Sequence, residues 1–135
     1  MNKDKAQQHI SACLNDGDDL IGFFQAIEPP KIWLFFLLGP LAILSMKSYF
    51  VAVGEQGVYF HRLNLLGKAD THDFFSFDEI EHLKVGNGVL QRPMWFSFNN
   101  GRKIKIKGQL KGVEKVAKLT PEVQAHLEKQ ISSVS

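Results

Sequence analysis

Cysteine is almost missing from this chain of 135 residues, because Cys13 is the only one. No disulfide can form within the chain, and we expect a reducing, cytoplasmic setting. The first dozen residues are too polar for a signal peptide, so we do not expect secretion by that route. With 44% hydrophobic and 22% charged residues, the composition predicts one folded globular domain.

The motifs that usually carry catalysis are also missing. The sequence contains no glycine-rich phosphate loop, no paired-cysteine zinc spacing and no nucleophile elbow. His61, His72 and His82 fall on three predicted strands, but their spacing is not that of metal ligands. Cys13 falls on the predicted buried side of a helix and is interpreted as a packed thiol. We therefore expect no enzyme, no metal and no cofactor, and the sequence identifies no small-molecule substrate.

Long hydrophobic runs are limited to one, IWLFFLLGPLAILSM at positions 32–46. A membrane-spanning helix takes about 20 apolar residues, and this shorter run is interrupted by Gly39 and Pro40. A transmembrane helix is therefore not expected. The alternatives are a segment buried in the fold, a hairpin that enters a membrane surface, and a patch covered by another subunit.

Alternating and aromatic-rich segments predict a sheet with a helix at each end of the chain. The clearest is KIKIK at positions 103–107, with isoleucines inward and lysines outward. The acidic stretch 15–19 lacks the ligand spacing of a calcium loop and predicts a solvated turn. Strands are predicted at 20–27, 48–53, 58–63, 71–77, 80–85, 94–98 and 103–107, and helical segments at 3–14, 112–119 and 120–131.

Positive charge is concentrated late in the sequence. Between positions 102 and 118, seven lysine or arginine residues stand against one acidic residue. Lys103, Lys105 and Lys107 are candidate anion contacts, although solvated lysines are the more frequent explanation of such a stripe. We do not expect nucleic-acid binding, because this stripe lies beside a single tryptophan and lacks the stacking platform and the arginine content common in single-strand binders. An anionic membrane surface is a comparable partner, contributing about 1 kcal/mol per basic residue.

Four segments, in this order, resemble those of bacterial pleckstrin-homology-like (PH-like) and GRAM-like domains. LNDGDDLI at 14–21 is similar to the lead into their first strand, and KSYFVAVGEQGVY at 47–59 is similar to their first hairpin, with Gly54 where threonine is usual. FFSFDEIEHL at 74–83 and FSFNNGRKIKI at 96–106 resemble later segments. The resemblance implies a mainly β fold: a partly open antiparallel barrel of about seven strands, with a C-terminal helix and a short N-terminal helix.

The chain is thus predicted to divide into an N-terminal helix at 1–14, indicated by its helical spacing of apolar residues, and a single PH-like domain at 15–135 with an apolar insertion at 32–46. The resemblance implies a binding or assembly module, and bacterial members often form rings. Lipid-binding eukaryotic relatives hold phosphoinositide head groups with a basic pair between strands one and two. This chain has the apolar insertion there, flanked by Lys31 and Lys47, which argues against head-group recognition of that kind.

Two hypotheses follow for the apolar insertion. In the first, a non-catalytic module homo-oligomerises through it, the segment lying partly under its own barrel and partly against neighbouring subunits. In the second, the module is peripheral at the inner membrane surface, with the insertion as a wedge and the basic strand on lipid phosphates. Leaving about ten large apolar side chains in water would forgo on the order of 15 kcal/mol, so something must cover them. The predicted contact residues are Trp33, Leu34, Phe35, Phe36, Leu37, Leu38, Leu41, Ile43 and Leu44.

Overall fold

The structure is a computed structural model that describes residues 3–29, 32–64, 69–110 and 118–131. Within these ranges the side chains of residues 3, 32, 43–45, 69 and 70 are not described. The helical segment predicted at 112–119 therefore lies almost entirely outside the described residues.

Seven strands form one curled antiparallel sheet, which confirms the predicted number of strands and the mainly β fold. A helix stands at each end of the chain, and a further short helix follows the first strand. The elements are α1 (Lys3–Cys13), β1 (Leu20–Glu28), α2 (Ile32–Leu38), a 3₁₀ helix (Gly39–Ser45), β2 (Lys47–Gly54), β3 (Gly57–Leu63), β4 (Ala69–Ser76), a 3₁₀ turn (Phe77–Glu79), β5 (Ile80–Val85), β6 (Gln91–Phe98), β7 (Lys103–Gln109) and α3 (Pro121–Gln130).

The ladder between β1 and β7 is short. Only Ala26 and Ile27 of β1 pair with this strand, opposite Gly108 and Lys107. Every other neighbouring pair of strands in the described sheet shares a longer ladder. The sheet thus consists of two halves, β4-β3-β2-β1 and β7-β6-β5, which meet at a two-residue seam.

The inner face of the curled sheet holds the main core. Successive side chains of a strand point to opposite faces, so Phe24, Val51 and Phe60 enter this core from neighbouring strands. Helix α3 closes the core with Val123 and Leu127. The N-terminus of α3 is capped, because the Thr120 hydroxyl accepts a hydrogen bond from the Val123 N–H at 3.3 Å and Pro121 occupies the first helical position.

The outer face of the first half-sheet carries a second core. The alternate side chains of the same strands, including Phe23, Phe50 and Tyr59, pack under Ala6 and Ile10 of α1. Strands β1 to β3 are therefore apolar on both faces, and α1 covers the face that would otherwise meet water.

Asp18 joins the loop after α1 to the hairpin between β2 and β3. Its carboxylate is only 8% exposed and accepts hydrogen bonds from the Tyr59 hydroxyl at 2.6 Å and the Gln56 N–H at 3.0 Å. The same hydroxyl accepts the Asn15 N–H at 3.0 Å. The prediction of a solvated turn at 15–19 is therefore wrong for Asp18, which has a structural role. Burial, followed by the bond to Asp18, raises the pKa of Tyr59 to about 12.

The substitution Tyr59→Phe is expected to lower the free energy of unfolding by about 1–3 kcal/mol, because the buried Asp18 carboxylate and the Asn15 N–H each lose a hydrogen bond to the Tyr59 hydroxyl. Tyr49→Phe is the matched control, since the Tyr49 hydroxyl donates to Glu28 at 3.1 Å in a half-buried position. Urea denaturation measures both values. An equal or smaller loss for Tyr59→Phe would contradict the structural role of Asp18.

Stability should also decrease at alkaline pH. The folded protein holds the Tyr59 and Tyr49 protons more tightly than the ordinary value of 10, with both pKa values raised to about 12. The stabilising contribution is complete below pH 10 and is lost as the pH rises toward 12. Denaturation midpoints of the wild type and of the Tyr59→Phe/Tyr49→Phe double variant should converge across that interval; a constant difference would show that these hydroxyls do not carry the effect.

Candidate functional site

The insertion between β1 and β2 forms an apolar hairpin, here meaning α2 and the 3₁₀ helix that follows it. Phe36 is 89% exposed and Leu37 is 71% exposed, while Leu34 is half-buried. The predicted cover from the barrel itself therefore does not reach most of this segment. The side chains of Ile43 and Leu44 lie outside the described part of the structure. The large exposed residues of the hairpin are Trp33, Phe35, Phe36, Leu37, Leu38 and Leu41.

Gly39 and Pro40 determine the shape of the hairpin. Gly39 has φ +59°, the left-handed conformation that ends a helix, and Pro40 cannot continue the helix. The seven residues of α2 rise about 1.5 Å each, so the helix is roughly 10 Å long. Within the described ranges no helix is long and apolar enough to cross a membrane.

Helix α2 has no polar face. Residues three or four apart share a side of a helix, so Trp33 and Leu37 lie on one side while Phe35 and Leu38 lie on another. Phe36 projects between these sides, and all five side chains are exposed. Helices that are apolar all round are ordinarily surrounded by other apolar material.

The exposed area is large for a protein of this size. With about 200 Å² for each large apolar side chain, the exposed fractions of the hairpin residues give on the order of 700 Å². This exceeds the largest apolar patch of an ordinary monomer, roughly 300–600 Å². Covering it would contribute on the order of 18 kcal/mol, at about 25 cal/mol per Å². The hairpin is therefore the strongest candidate contact surface in the described protein.

Basic side chains lie near the base of the hairpin. Lys47, the first residue of β2, has its Nζ 3.9 Å from a Glu28 carboxylate oxygen. Arg62 lies opposite the third residue of β2, and Lys107 lies opposite the penultimate residue of β1. Glu28 offsets part of this charge, so the base carries a moderate positive excess among the described residues.

The basic strand β7 has the predicted alternation. Lys103 and Lys105 are exposed, Lys107 is half-buried and Ile106 is fully buried. The lysine stripe also extends across the sheet around Trp95. Lys105 Nζ lies 5.3 Å from the Trp95 ring centroid, and Lys84 of β5 approaches the same ring at 5.4 Å.

A second cluster lies beneath α1. His61 of β3 is 1% exposed, and neither of its ring nitrogens has a hydrogen-bond partner within the described structure. The His9 ring meets it edge-on at 5.6 Å, and the His72 ring stacks on it at 5.0 Å. Burial, then the charges of His72 and His9, lower the pKa of His61 to about 4. The imidazole is therefore neutral at pH 7, and a buried polar group without a partner costs about 1–3 kcal/mol.

Cys13 belongs to the same cluster. Its Sγ lies 3.8 Å from His9 Nε2, and the thiol is half-buried beside His61, not simply packed among apolar side chains. His82 is far along the sheet order on β5, with its Nε2 3.6 Å from Glu81. Of the three histidines that the sequence places on predicted strands, His72 stacks on His61 while His82 lies apart, and His9, which that grouping does not include, joins from α1. The available signal was the spacing of four residues between His9 and Cys13, which places both on one helix face.

Comparison with known proteins supports the fold and leaves the activity open. No family model matches the sequence, and no curated protein matches it. Among solved structures, the hSac2 domain from human phosphoinositide phosphatase Sac2 is similar, with a TM-score of 0.61 over 98% of this chain and 87% of that chain. Sequence identity is 12%, so the similarity concerns the fold alone. The predicted PH-like half-barrel is confirmed.

The exposure of the hairpin predicts that its tip contributes little to folding. Phe36→Ser/Leu37→Ser should change the free energy of unfolding by less than about 0.5 kcal/mol. Phe24→Ala, which empties a fully buried site, should cost about 3–5 kcal/mol. Denaturation curves of both variants provide the measurement. A large loss for the tip variant would mean that the hairpin packs on its own barrel.

Proposed function

We propose that this protein is a non-catalytic PH-like membrane-contact module whose apolar hairpin inserts into the surface of a lipid bilayer. The observation that carries the proposal is the exposure of apolar side chains around most of α2, at Trp33, Phe35, Phe36, Leu37 and Leu38, with Leu34 half-buried. A neighbouring subunit that packs on one side of a short helix leaves the side chains on the opposite side exposed to water. Lipid chains surround an inserted helix and cover every side at once.

The dimensions support a shallow insertion. An interfacial segment enters about 5–10 Å into the boundary between head groups and acyl chains, which matches a helix roughly 10 Å long. The order of residues also fits. Trp33 lies at the start of α2, close to the barrel, where a tryptophan suits the membrane interface, and Phe36 and Leu37 lie further out.

The charge distribution favours an anionic leaflet. Lys47, Arg62 and Lys107 lie near the base of the hairpin, and Lys103 and Lys105 continue the stripe along β7. Each basic residue near an anionic surface contributes about 1 kcal/mol. Since the single cysteine favours a reducing compartment, we propose the cytoplasmic leaflet as the site of contact.

Homo-oligomerisation through the hairpin is the second candidate function. The observation that favours it is the area, because on the order of 700 Å² of exposed apolar surface is close to the roughly 800 Å² that each partner buries in a standard interface. In this alternative the hairpin of one subunit covers that of another.

A non-catalytic role is part of the proposal. The cleft between β6 and α3, with a volume of about 300 Å³, is lined by Arg92, Gln124 and Glu128 among others. The Arg92 guanidinium donates to the Gln124 carbonyl, and the Gln124 amide donates to Glu128 at 2.8 Å. These polar groups bind one another and hold α3 against the sheet, which supports a structural role for them.

Vesicle co-sedimentation tests the insertion. Trp33→Ser/Phe36→Ser should weaken partitioning into anionic vesicles by about 100-fold, because two buried aromatic side chains contribute about 1.5 kcal/mol or more each. Val89→Ser/Leu90→Ser is the matched control, since these side chains in the loop between β5 and β6 are 73% and 65% exposed. Unchanged vesicle binding of the hairpin variant, or equal losses of binding in both variants, would contradict insertion of the hairpin into the bilayer.

Charge reversal tests the basic stripe separately. Lys103→Glu/Lys105→Glu/Lys107→Glu should reduce binding to anionic vesicles by about 100-fold or more, at about 1 kcal/mol per basic residue removed. Binding to neutral vesicles should stay unchanged, because apolar insertion does not depend on these charges. A loss of equal size on both vesicle types would indicate misfolding or a different contact surface.

Light scattering without lipid separates the two candidate functions. A monomer or weak self-associate that binds vesicles supports the membrane role. A stable oligomer that ignores vesicles, and that Trp33→Ser/Phe36→Ser converts to monomers, supports the second candidate. A well-behaved monomer that binds neither vesicles nor apolar dyes contradicts both.

A further inference from the structure

We propose that His9, Cys13 and His61 form a metal site for a thiophilic divalent ion, Zn²⁺, between α1 and the outer face of the sheet. One ligand atom from each residue lies within 4.8 Å of the other two. The proposal is independent of the membrane role, because the cluster lies beneath α1 and involves no residue of the apolar hairpin.

The fold brings the three ligands together in two steps. Residues four apart occupy the same helix face, so His9 and Cys13 project from α1 side by side. Ala6 and Ile10 of α1 then dock on the outer core. Docking places the histidine and the thiol over β3, where His61 points outward.

The distances are close to those of a tetrahedral centre. Zinc bonds of about 2.3 Å to sulfur and 2.0–2.1 Å to nitrogen place neighbouring S and N ligands roughly 3.6 Å apart. Cys13 Sγ and His9 Nε2 are 3.8 Å apart. The widest separation in the cluster, 4.8 Å, exceeds the tetrahedral value by about 1 Å, which small side-chain rotations of His9 or Cys13 can remove.

His61 provides the independent indication of a ligand. Its ring is almost completely buried, yet neither ring nitrogen has a hydrogen-bond partner in the described structure. Buried polar groups are nearly always satisfied, and an orphaned one calls for an explanation. A neutral imidazole has one nitrogen with a free lone pair, which is the atom that binds a metal.

The donor set selects the class of ion. One thiolate and two imidazoles suit Zn²⁺, whereas Mg²⁺ and Ca²⁺ prefer oxygen ligands. On binding, the Cys13 S–H bond breaks, its electron pair forms the sulfur–metal bond and the proton leaves to solvent. The fourth position of a tetrahedral ion falls to a water molecule. The bound ion would tie α1 to β3.

Titration of the purified metal-free protein with Co²⁺ and Zn²⁺ tests the site. The wild type should give the thiolate-to-cobalt charge-transfer absorption, and Zn²⁺ should abolish it by displacement. Cys13→Ser should lose this absorption, and His9→Ala should weaken Zn²⁺ binding by about tenfold or more. His82→Ala is the control, since that histidine lies by Glu81 on β5, and it should bind as the wild type does.

Thermal unfolding provides a second readout, because an ion that binds only the folded state raises the melting temperature. Micromolar Zn²⁺ should raise it in the wild type and in His82→Ala, and should raise it less in Cys13→Ser and His9→Ala. Both ligand variants change half-buried positions on α1, so they keep the sheet core intact. The proposal is overturned if the wild type shows no charge-transfer band, or if Cys13→Ser retains wild-type affinity.

Discussion

The two-sided burial of β1, β2 and β3 is the constraint on which the rest of this structure depends. Most small antiparallel sheets keep one face in water, but these strands carry large apolar side chains in both directions, Phe24 inward and Phe23 outward. The curled sheet and α3 cover the first set. The second set requires an added element, and α1 supplies it. The docking of α1 in turn explains why Asp18 is buried at the end of the following loop, and why His61 lies in a closed environment.

The apolar hairpin, in contrast to β1, β2 and β3, is not covered by the rest of the chain. The chain covers both faces of its first half-sheet, yet leaves Phe36 and Leu37 in solvent at the tip of a helix that has no polar side. An uncovered surface of this size is not explained by folding, because it contributes nothing to the monomer core. The hairpin is therefore the part of the described structure whose large exposed side chains the fold itself does not account for.

Local pattern predicted the strands, because period-two alternation and turn residues act over a few positions, as in the stretch at 103–107. It did not predict which side of the barrel α1 would cover, since that depends on contacts between residues far apart in sequence. The position of His9 and the burial of Asp18 could not be predicted for this reason.

Gly54 stands where the hairpins that this one resembles usually have threonine, and the reason for the glycine is seen only in the three-dimensional structure. A Cβ there would lie 2.6 Å from an Asp18 carboxylate oxygen that is already held by Tyr59. Likewise, the apolar run at 32–46 reads the same in sequence whether it is buried or exposed.

The two-residue seam between β1 and β7 has a mechanical consequence. Ala26 and Ile27 are the only residues of β1 that pair across the two halves of the described sheet, and the chain leaves the sheet toward the hairpin directly after Glu28. A change in the angle between the halves therefore breaks few ladder hydrogen bonds. It must, however, shear the inner core that the halves share, where the Phe60 ring of the first half meets the Phe96 ring of the second at 5.6 Å and Phe75 meets Phe98 at 4.4 Å. Resistance to bending at the seam, next to the hairpin, thus comes from packed aromatic side chains rather than from backbone pairing.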